Sequence, residues 1–398
     1  LRRMDSGAGA AHARPMTETR AILERLIAFP TVSRTPNAEL IGHAADLLRA
    51  AGARVAVIEA TGGHGRNLYA SLGPEGPGGV MLSGHTDVVP VEGQDWTTPP
   101  FRLAERDGRL FGRGTADMKG FCAAAIAAMR RAGGRRLRAP LHLALSADEE
   151  IGCIGVRSLV EMLEAAPERP AFCIVGEPTS MAVATGHKGK VALEAACHGV
   201  EAHSALAPTA LNALHLACDL VAAIRAMQDR LAAMGARDGD YDVPYTTLHV
   251  GRIAGGVALN IVPNRAEVAF EIRHLAEDDP GALLAELRAE ADRIAAAAGR
   301  PEAAIRIAER YAYPGLATPP GAAVVDFVKG LTGANGTVKV AFGTEGGLFA
   351  ARLGVPVVVC GPGSMAQGHR PDEYVTGEQL ARCDAILDAL IDRLEAGL

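Results

Sequence analysis

Val80-Met81-Leu82-Ser83-Gly84-His85-Thr86-Asp87 is an apolar, strand-like run that ends in a histidine and an aspartate. Metal-ligand side chains follow apolar runs or glycine-rich loops elsewhere too. Gly112 to Ala116 leads into Asp117, and Leu141 to Ala147 leads into Asp148-Glu149-Glu150. Ala171 to Val175 leads into Gly176-Glu177, and Val355 to Cys360 leads through Gly361-Pro362-Gly363 towards His369. In an open α/β sheet, ligands bind beyond the carboxyl ends of the strands. Two histidines and several carboxylates delivered to one edge imply a binuclear metal site of the hydrolytic kind.

The pattern around these runs alternates. Helices are expected at Thr17 to Phe29, at Ala38 to Ala51 (after Asn37, before Gly52), at Lys119 to Ala132 and near Ile154 to Glu164. Strands are expected at Arg54 to Ile58, Asn67 to Leu72, Gly79 to Ser83, Leu141 to Ala147 and Ala171 to Val175. Such alternation gives an α/β fold, a mixed and mostly parallel sheet with helices on both faces. The rhythm then changes. A strand at Lys190 to His198, a helix at Leu211 to Met234, strands at Tyr245 to Ile253 and Ala266 to Arg273, a helix at Pro280 to Ala298 and a strand at Ala303 to Ala308 have the order β-α-β-β-α-β. That is the order of a ferredoxin-like α+β unit. The first pattern resumes near Ala322. The expectation is a catalytic di-metal domain from 16–187 and 305–398, with an inserted domain at 188–304. Residues 1–15 are rich in Gly, Ala and Arg, lack the apolar core of a signal peptide, and read as a disordered or tag-like extension before Met16.

Composition excludes other classes. The 398 residues carry a net charge of −6 with no block of like charge, which argues against nucleic acid and anionic membrane as partners. No apolar run approaches the roughly 20 residues that span a bilayer. The seven cysteines are scattered without a C-x-x-C pair and read as buried, reduced thiols of a cytoplasmic protein.

Each motif has a chemistry. His85 and Asp87 fall on one side of an extended segment, so Asp87 can accept from the far imidazole nitrogen and fix the tautomer. Asp117 can cap the following helix, or its two oxygens can bridge two cations. Glu149 and Glu150 point to opposite sides of an extended chain. A division into one ligand and one general base suits them better than a shared role. Glu177 and His369 complete a set that suits two zinc-like ions sharing one aspartate.

Five motifs carry a family resemblance: Ser83 to Pro90, Gly112 to Gly120, Asp148 to Gly152, Gly176 to Thr179 and His369 to Glu373. Together they resemble the motif set of the di-zinc aminoacylase, acetylornithine deacetylase and succinyl-diaminopimelate desuccinylase family, in family order from about Met16 to the end. Gly186 to Lys190, Gly255-Gly256 through Asn260 to Pro263, Phe342 to Glu345 and Gly361 to Ser364 look most like acetylornithine deacetylases. One departure is Gly368 before His369, where alanine is more common.

The resemblance implies that His85 and Glu177 hold one ion, that Glu150 and His369 hold the other, and that Asp117 bridges. It makes Glu149 the general base, Asp87 the partner of His85, and the Asp117–Met118 peptide cis. It implies substrate contacts from His203, Asn260, Arg273, Lys188, Thr344 and Glu345. Within these, His203 polarises the scissile carbonyl from the partner subunit of a homodimer formed through the inserted domain. Arg273 grips a carboxylate, and Glu345 faces the δ-ammonium of ornithine. The expected reaction is hydrolysis of N-acetylornithine to ornithine and acetate, a step of arginine biosynthesis, with two Zn2+ or Co2+ per subunit. A desuccinylase, a general aminoacylase or a carboxypeptidase would use the same machinery. A metal-binding or scaffold protein without catalysis is the reading from another class.

Overall fold

The computed structural model describes residues 9–167 and 169–398, with side chains from Glu18 onward. Of the extension expected at 1–15, residues 1–8 lie outside the described residues. Gly9 to Pro15, expected to be irregular, instead continue the helix Gly9–Ile27 at its N-terminal side. Ala10, Ala11 and Ala13 favour that conformation.

The chain divides into two compact units. One comprises Leu1–Gly186, Leu316–Val340 and Thr344–Leu398, and the other comprises His187–Gly315 with Ala341–Gly343. The return to the first unit was expected at residue 305 and comes at Leu316, because the strand Ala304–Tyr313 runs on past the expected end at Ala308.

In the larger unit, four strands lie side by side in parallel: Leu141–Ser146, Val80–His85, Phe172–Pro178 and Val357–Gly361. The first two are buried at every position. A run of residues without an exposed face fits a strand covered by helices on both sides. Arg54–Glu59 and Arg66–Leu72 extend the sheet in antiparallel fashion at one end; at the other, Ala184–His187 pairs antiparallel with Val357–Gly361, and Leu316–Ala317 lies beside it. The helix Lys119–Ala132 is buried around most of its girth. Its alanines at 123, 124, 125, 127 and 128 let it seat closely in the core with Leu23, Leu26, Leu82 and Leu387. A small three-stranded sheet of Ala104–Arg106, Arg109–Phe111 and Tyr374–Thr376 escaped the sequence reading, since three-residue strands leave no measurable alternation.

The smaller unit is a four-stranded antiparallel sheet in the order Thr247–Gly255, Arg265–His274, Gly189–His198, Ala304–Tyr313. This is the ferredoxin-like arrangement. Alternate residues of Gly189–His198 are buried. Val191, Leu193, Ala195 and Cys197 join Leu216, Leu220 and Ile224 of the helix Ala213–Met234 and Leu284 and Leu287 of the helix Pro280–Ala297 in one core. Six cysteines are buried, all seven are unpaired, and Cys218 is exposed. Among the described residues no helix is long and apolar enough to cross a membrane.

Candidate metal centre

The register of the parallel strands decides where the chemistry collects. His85 is aligned with Ser146, and Ser83 with Val175. The strand ends therefore lie level, and His85, the turn Asp148-Glu149-Glu150 and Glu177 leave the sheet at one edge. His369 comes from the loop that follows Val357–Gly361.

Asp117 sits at the centre. Its Oδ1 lies 3.0 Å from His85 Nε2, and its Oδ2 lies 3.1 Å from His369 Nε2. Each oxygen of one carboxylate thus faces a different imidazole. A second carboxylate accompanies each ring: Glu177 Oε1 is 3.7 Å from His85 Nε2, and Glu150 Oε2 is 3.1 Å from His369 Nε2. Donor atoms of His85, Glu149 and Glu177, and of His85, Asp117 and Glu150, form two groups within 4.8 Å. The peptide bond Asp117–Met118 is cis.

Buried like charges without compensation are costly. Burial, and then the charge of Asp117, push the Glu150 carboxyl up to about 7. Burial also raises Glu149 and Glu177 well above the usual carboxylate range. Burial works against charge on His85, but its hydrogen bond to Asp117 and the carboxylates of Glu177, Asp117 and Glu149 together raise it well above the usual imidazole value. Hydrogen bonds to Asp117 and Glu150 raise His369 to about 10. Burial works against the Asp117 carboxylate, yet His369 and His85 hold it below its ordinary value. Four buried carboxylates around two imidazoles form a donor set of the type that binds divalent cations. The residues present fit two ions: His85 with Glu177 and His369 with Glu150 could each hold one, with Asp117 shared.

Asp87 differs from its expected role. His85 Nδ1 bonds the backbone carbonyl of Asp87 at 2.9 Å, whereas the Asp87 carboxylate is 3.6 Å away. The carbonyl therefore holds the Nδ1 proton and leaves Nε2 as the electron-pair donor. The Asp87 carboxylate accepts the backbone N–H of Glu149 at 3.0 Å and of Glu150 at 3.3 Å, and the Ser33 hydroxyl at 2.7 Å. It shapes the turn that carries both glutamates.

Glu345 also lies elsewhere than expected. It is 1% exposed, its Oε2 accepts the Ser83 hydroxyl at 3.1 Å, and its Oε1 accepts the Ser146 hydroxyl. These serines sit on neighbouring parallel strands, so Glu345 ties those strands together. Thr344 is buried, and its hydroxyl accepts the Gly346 N–H at 3.0 Å.

The other expected substrate contacts belong to the smaller unit. His203 is exposed and its Nδ1 accepts the Ala205 N–H at 3.1 Å. It pairs by a β-bridge with Ile261, and Ser204 N–H bonds the Asn260 carbonyl at 3.0 Å, so the loops of His203 and Asn260 run together. Arg273 donates from Nε to Glu271 at 2.9 Å and from Nη1 to the Tyr313 hydroxyl at 3.0 Å. The Lys188 ammonium bonds the Tyr245 carbonyl at 2.5 Å.

Sequence reading missed Arg113 and Glu373 as site residues. Both stand in quoted motifs, but only the packing shows that they pair. Each is 1% exposed, and Arg113 Nη1 donates to Glu373 Oε2 at 2.7 Å.

Solved structures share this architecture. A tripeptidase from Staphylococcus aureus is 19% identical, covers 96% of this chain and 99% of its own, and has a TM-score of 0.75. An M20 family metallo-carboxypeptidase from Sulfolobus solfataricus is 18% identical over 96% of this chain and 100% of its own, with a TM-score of 0.78. A dinuclear metal binding peptidase of the M20 family from Bacillus subtilis is 17% identical over 97% and 99%, with a TM-score of 0.67. At these identities the likeness speaks for the fold. Residues 81–393 match the family described as Peptidase family M20/M25/M40, and the chain belongs to that family of metal-dependent hydrolases.

Proposed function

We propose that this chain hydrolyses the amide bond of N-acyl amino acids, with N-acetylornithine, cleaved to ornithine and acetate, as its substrate. The observation that carries the hydrolytic reading is Asp117, with one oxygen turned to His85 and the other to His369, each ring beside a second carboxylate. Acetylornithine itself is supported by the motifs Gly186 to Lys190, Gly255 to Pro263, Phe342 to Glu345 and Gly361 to Ser364.

In this reading His85 and Glu177 would hold one divalent cation, Glu150 and His369 would hold the other, and Asp117 would be shared. Zinc or cobalt suits the donors. Such a pair would supply Lewis acidity there, polarising the amide carbonyl and acidifying an attacking water. Glu149 receives the proton as the water oxygen adds to the carbonyl carbon. Glu149 then delivers that proton to the amine nitrogen as the C–N bond breaks, leaving acetate and the free amino group. Burial suits a carboxyl that must both take and give a proton. Arg273 holds the α-carboxylate with its planar fork. Asn260, Lys188 and Thr344 complete the substrate contacts, and His203 donates to the carbonyl oxygen.

His203 acts in this proposal from the partner subunit of a homodimer formed through the smaller unit. That unit exposes the apolar side chains of Leu206, Ile253, Val257, Leu259 and Ile261, which a subunit interface would cover.

Peptides are the second reading, favoured by the tripeptidase and metallo-carboxypeptidase of the same fold. A panel of N-acetyl amino acids, N-succinyl amino acids and dipeptides, assayed with zinc- and cobalt-loaded protein, separates the two. Preference for acetylornithine supports the proposal. Preference for succinyl groups or dipeptides overturns the substrate and keeps the chemistry. Glu149→Ala should abolish turnover while about two metal ions per chain remain bound; turnover that survives it removes Glu149 as the base.

A further inference from the structure

Four positions beyond the general base of the proposed reaction stands a group that none of the motif chemistry uses. Gly152 and Cys153 donate their backbone N–H to the Glu149 carbonyl at 2.9 and 2.8 Å. The chain therefore turns back on itself immediately after Glu149-Glu150, and the turn lays the Cys153 side chain over the Glu149 carboxylate. Cys153 Sγ lies 3.2 Å from Glu149 Oε1, as a donor. The thiol is fully buried. Cys153 holds this place with a left-handed backbone, φ +51°, a conformation that residues with a β-carbon seldom adopt. Asp148, on the other side of the glutamates, also has positive φ, at +51°. Unfavourable backbone geometry that brackets a reactive side chain persists where the surroundings enforce it.

We propose that Cys153 is a positioning residue for the reaction. Its S–H donates to Glu149 Oε1, engages that oxygen, and leaves Oε2 as the one that exchanges a proton with water and leaving amine. This rests on the reading of Glu149 as the base. A carboxylate without such a tether can rotate about its last bond and offer either oxygen, and the fraction of productive orientations falls. The other buried thiol at the site, Cys122, donates to the His85 carbonyl at 3.2 Å and so serves the backbone. It is an internal control.

Two substitutions isolate the donor. Cys153→Ala and Cys153→Ser both keep a β-carbon, so each carries the same backbone cost as the native residue. Only serine keeps a donor. We expect Cys153→Ala to lower kcat about tenfold, the size of effect that a lost hydrogen bond to a charged group carries, with KM changed less than about twofold. Cys153→Ser should restore most of kcat. Metal content should stay at the wild-type value in both, and Cys122→Ala should leave the kcat of the Cys153 series unchanged. An infrared difference spectrum, wild type minus Cys153→Ala, should show a hydrogen-bonded S–H stretch that Glu149→Gln shifts towards the free-thiol position.

Equal losses in the alanine and serine variants, or wild-type kcat in the alanine variant, would overturn the proposal. So would an S–H band insensitive to Glu149→Gln, a readout that needs no turnover. Persistent activity in Glu149→Ala would instead remove the base itself, which keeps the two failures apart.

Discussion

Glu373 holds Asp117 by its main chain across 256 residues of sequence. One oxygen of Glu373 accepts the N–H of Asp117 at 3.0 Å and that of Ala116 at 2.9 Å, and the other oxygen binds Arg113. Arg113 Nη1 also donates to the Arg370 carbonyl at 3.2 Å. The loop that carries His369 and the loop that carries Asp117 are thus fastened to each other by a buried ion pair. Metal ligands from distant parts of the chain need such a fastening, because two flexible loops would lose much conformational entropy on binding an ion.

Glu373→Gln keeps an oxygen for the two amides and leaves the Arg113 charge without its partner. Removing one member of a buried pair costs about 3–5 kcal/mol. We expect a loss near the lower end in urea unfolding, because Gln94 and two carbonyls remain bonded to Arg113. Zinc affinity should fall about 10–100-fold, as for other partners that orient ligands. A loss below about 1 kcal/mol with unchanged affinity would show that the fastening is dispensable.

Glu345→Gln tests where that carboxylate acts. Buried between Ser83 and Ser146, it supports two strands, so the substitution should lower stability by about 1–3 kcal/mol through imperfect hydrogen bonding. Turnover of acetylornithine and of acetylated neutral amino acids should fall by the same factor. A selective loss on acetylornithine would restore an ammonium-binding role.

Asp384 sets a pH dependence away from the metal centre. Burial pushes its carboxyl from 3.8 up to about 6, against the opposing effect of the Thr19 hydroxyl, which donates to it at 2.7 Å, and of Arg131. The folded state therefore binds the proton more tightly than the unfolded chain. The stabilisation is fully present below pH 3.8 and is lost as pH rises through about 6. Asp384→Asn should be more stable than wild type above pH 6, by up to roughly 2–3 kcal/mol, with the difference closing below pH 4. Denaturant titrations at pH 4 and pH 7 measure it, and a constant difference across that range would refute it.

Two glycines should respond in opposite directions to alanine. A β-carbon at Gly361 would lie 1.9 Å from the Gly176 carbonyl oxygen on the neighbouring strand, beside Glu177. Gly361→Ala should cost about 3 kcal/mol or more, since backbone cannot retreat cheaply in a packed sheet. Gly42 lies inside the exposed side of the helix Ala38–Ala50, and a β-carbon there meets nothing within 4 Å. Gly42→Ala should stabilise by about 0.5–1 kcal/mol. Thermal unfolding of both variants settles the pair.

Much of this protein was legible in its sequence. The helix Lys119–Ala132 and the alternation of Gly189–His198 are written within a few consecutive residues, where periodicity is a local property. His85, Glu149, Glu150 and Glu177 stood out in the sequence because each ends or follows a strand-like apolar run, and parallel strands deliver their ends to one edge. The tertiary structure alone decided the partners of polar groups. Which atom receives the His85 Nδ1 proton, that Glu373 fastens Asp117, that Glu345 is enclosed by two serines, and that Cys153 folds back onto Glu149 all depend on atoms brought together by packing. A hydrogen bond is short and directional. Displacements of an ångström decide whether it forms, and no spacing of residue types along a chain encodes a distance so small.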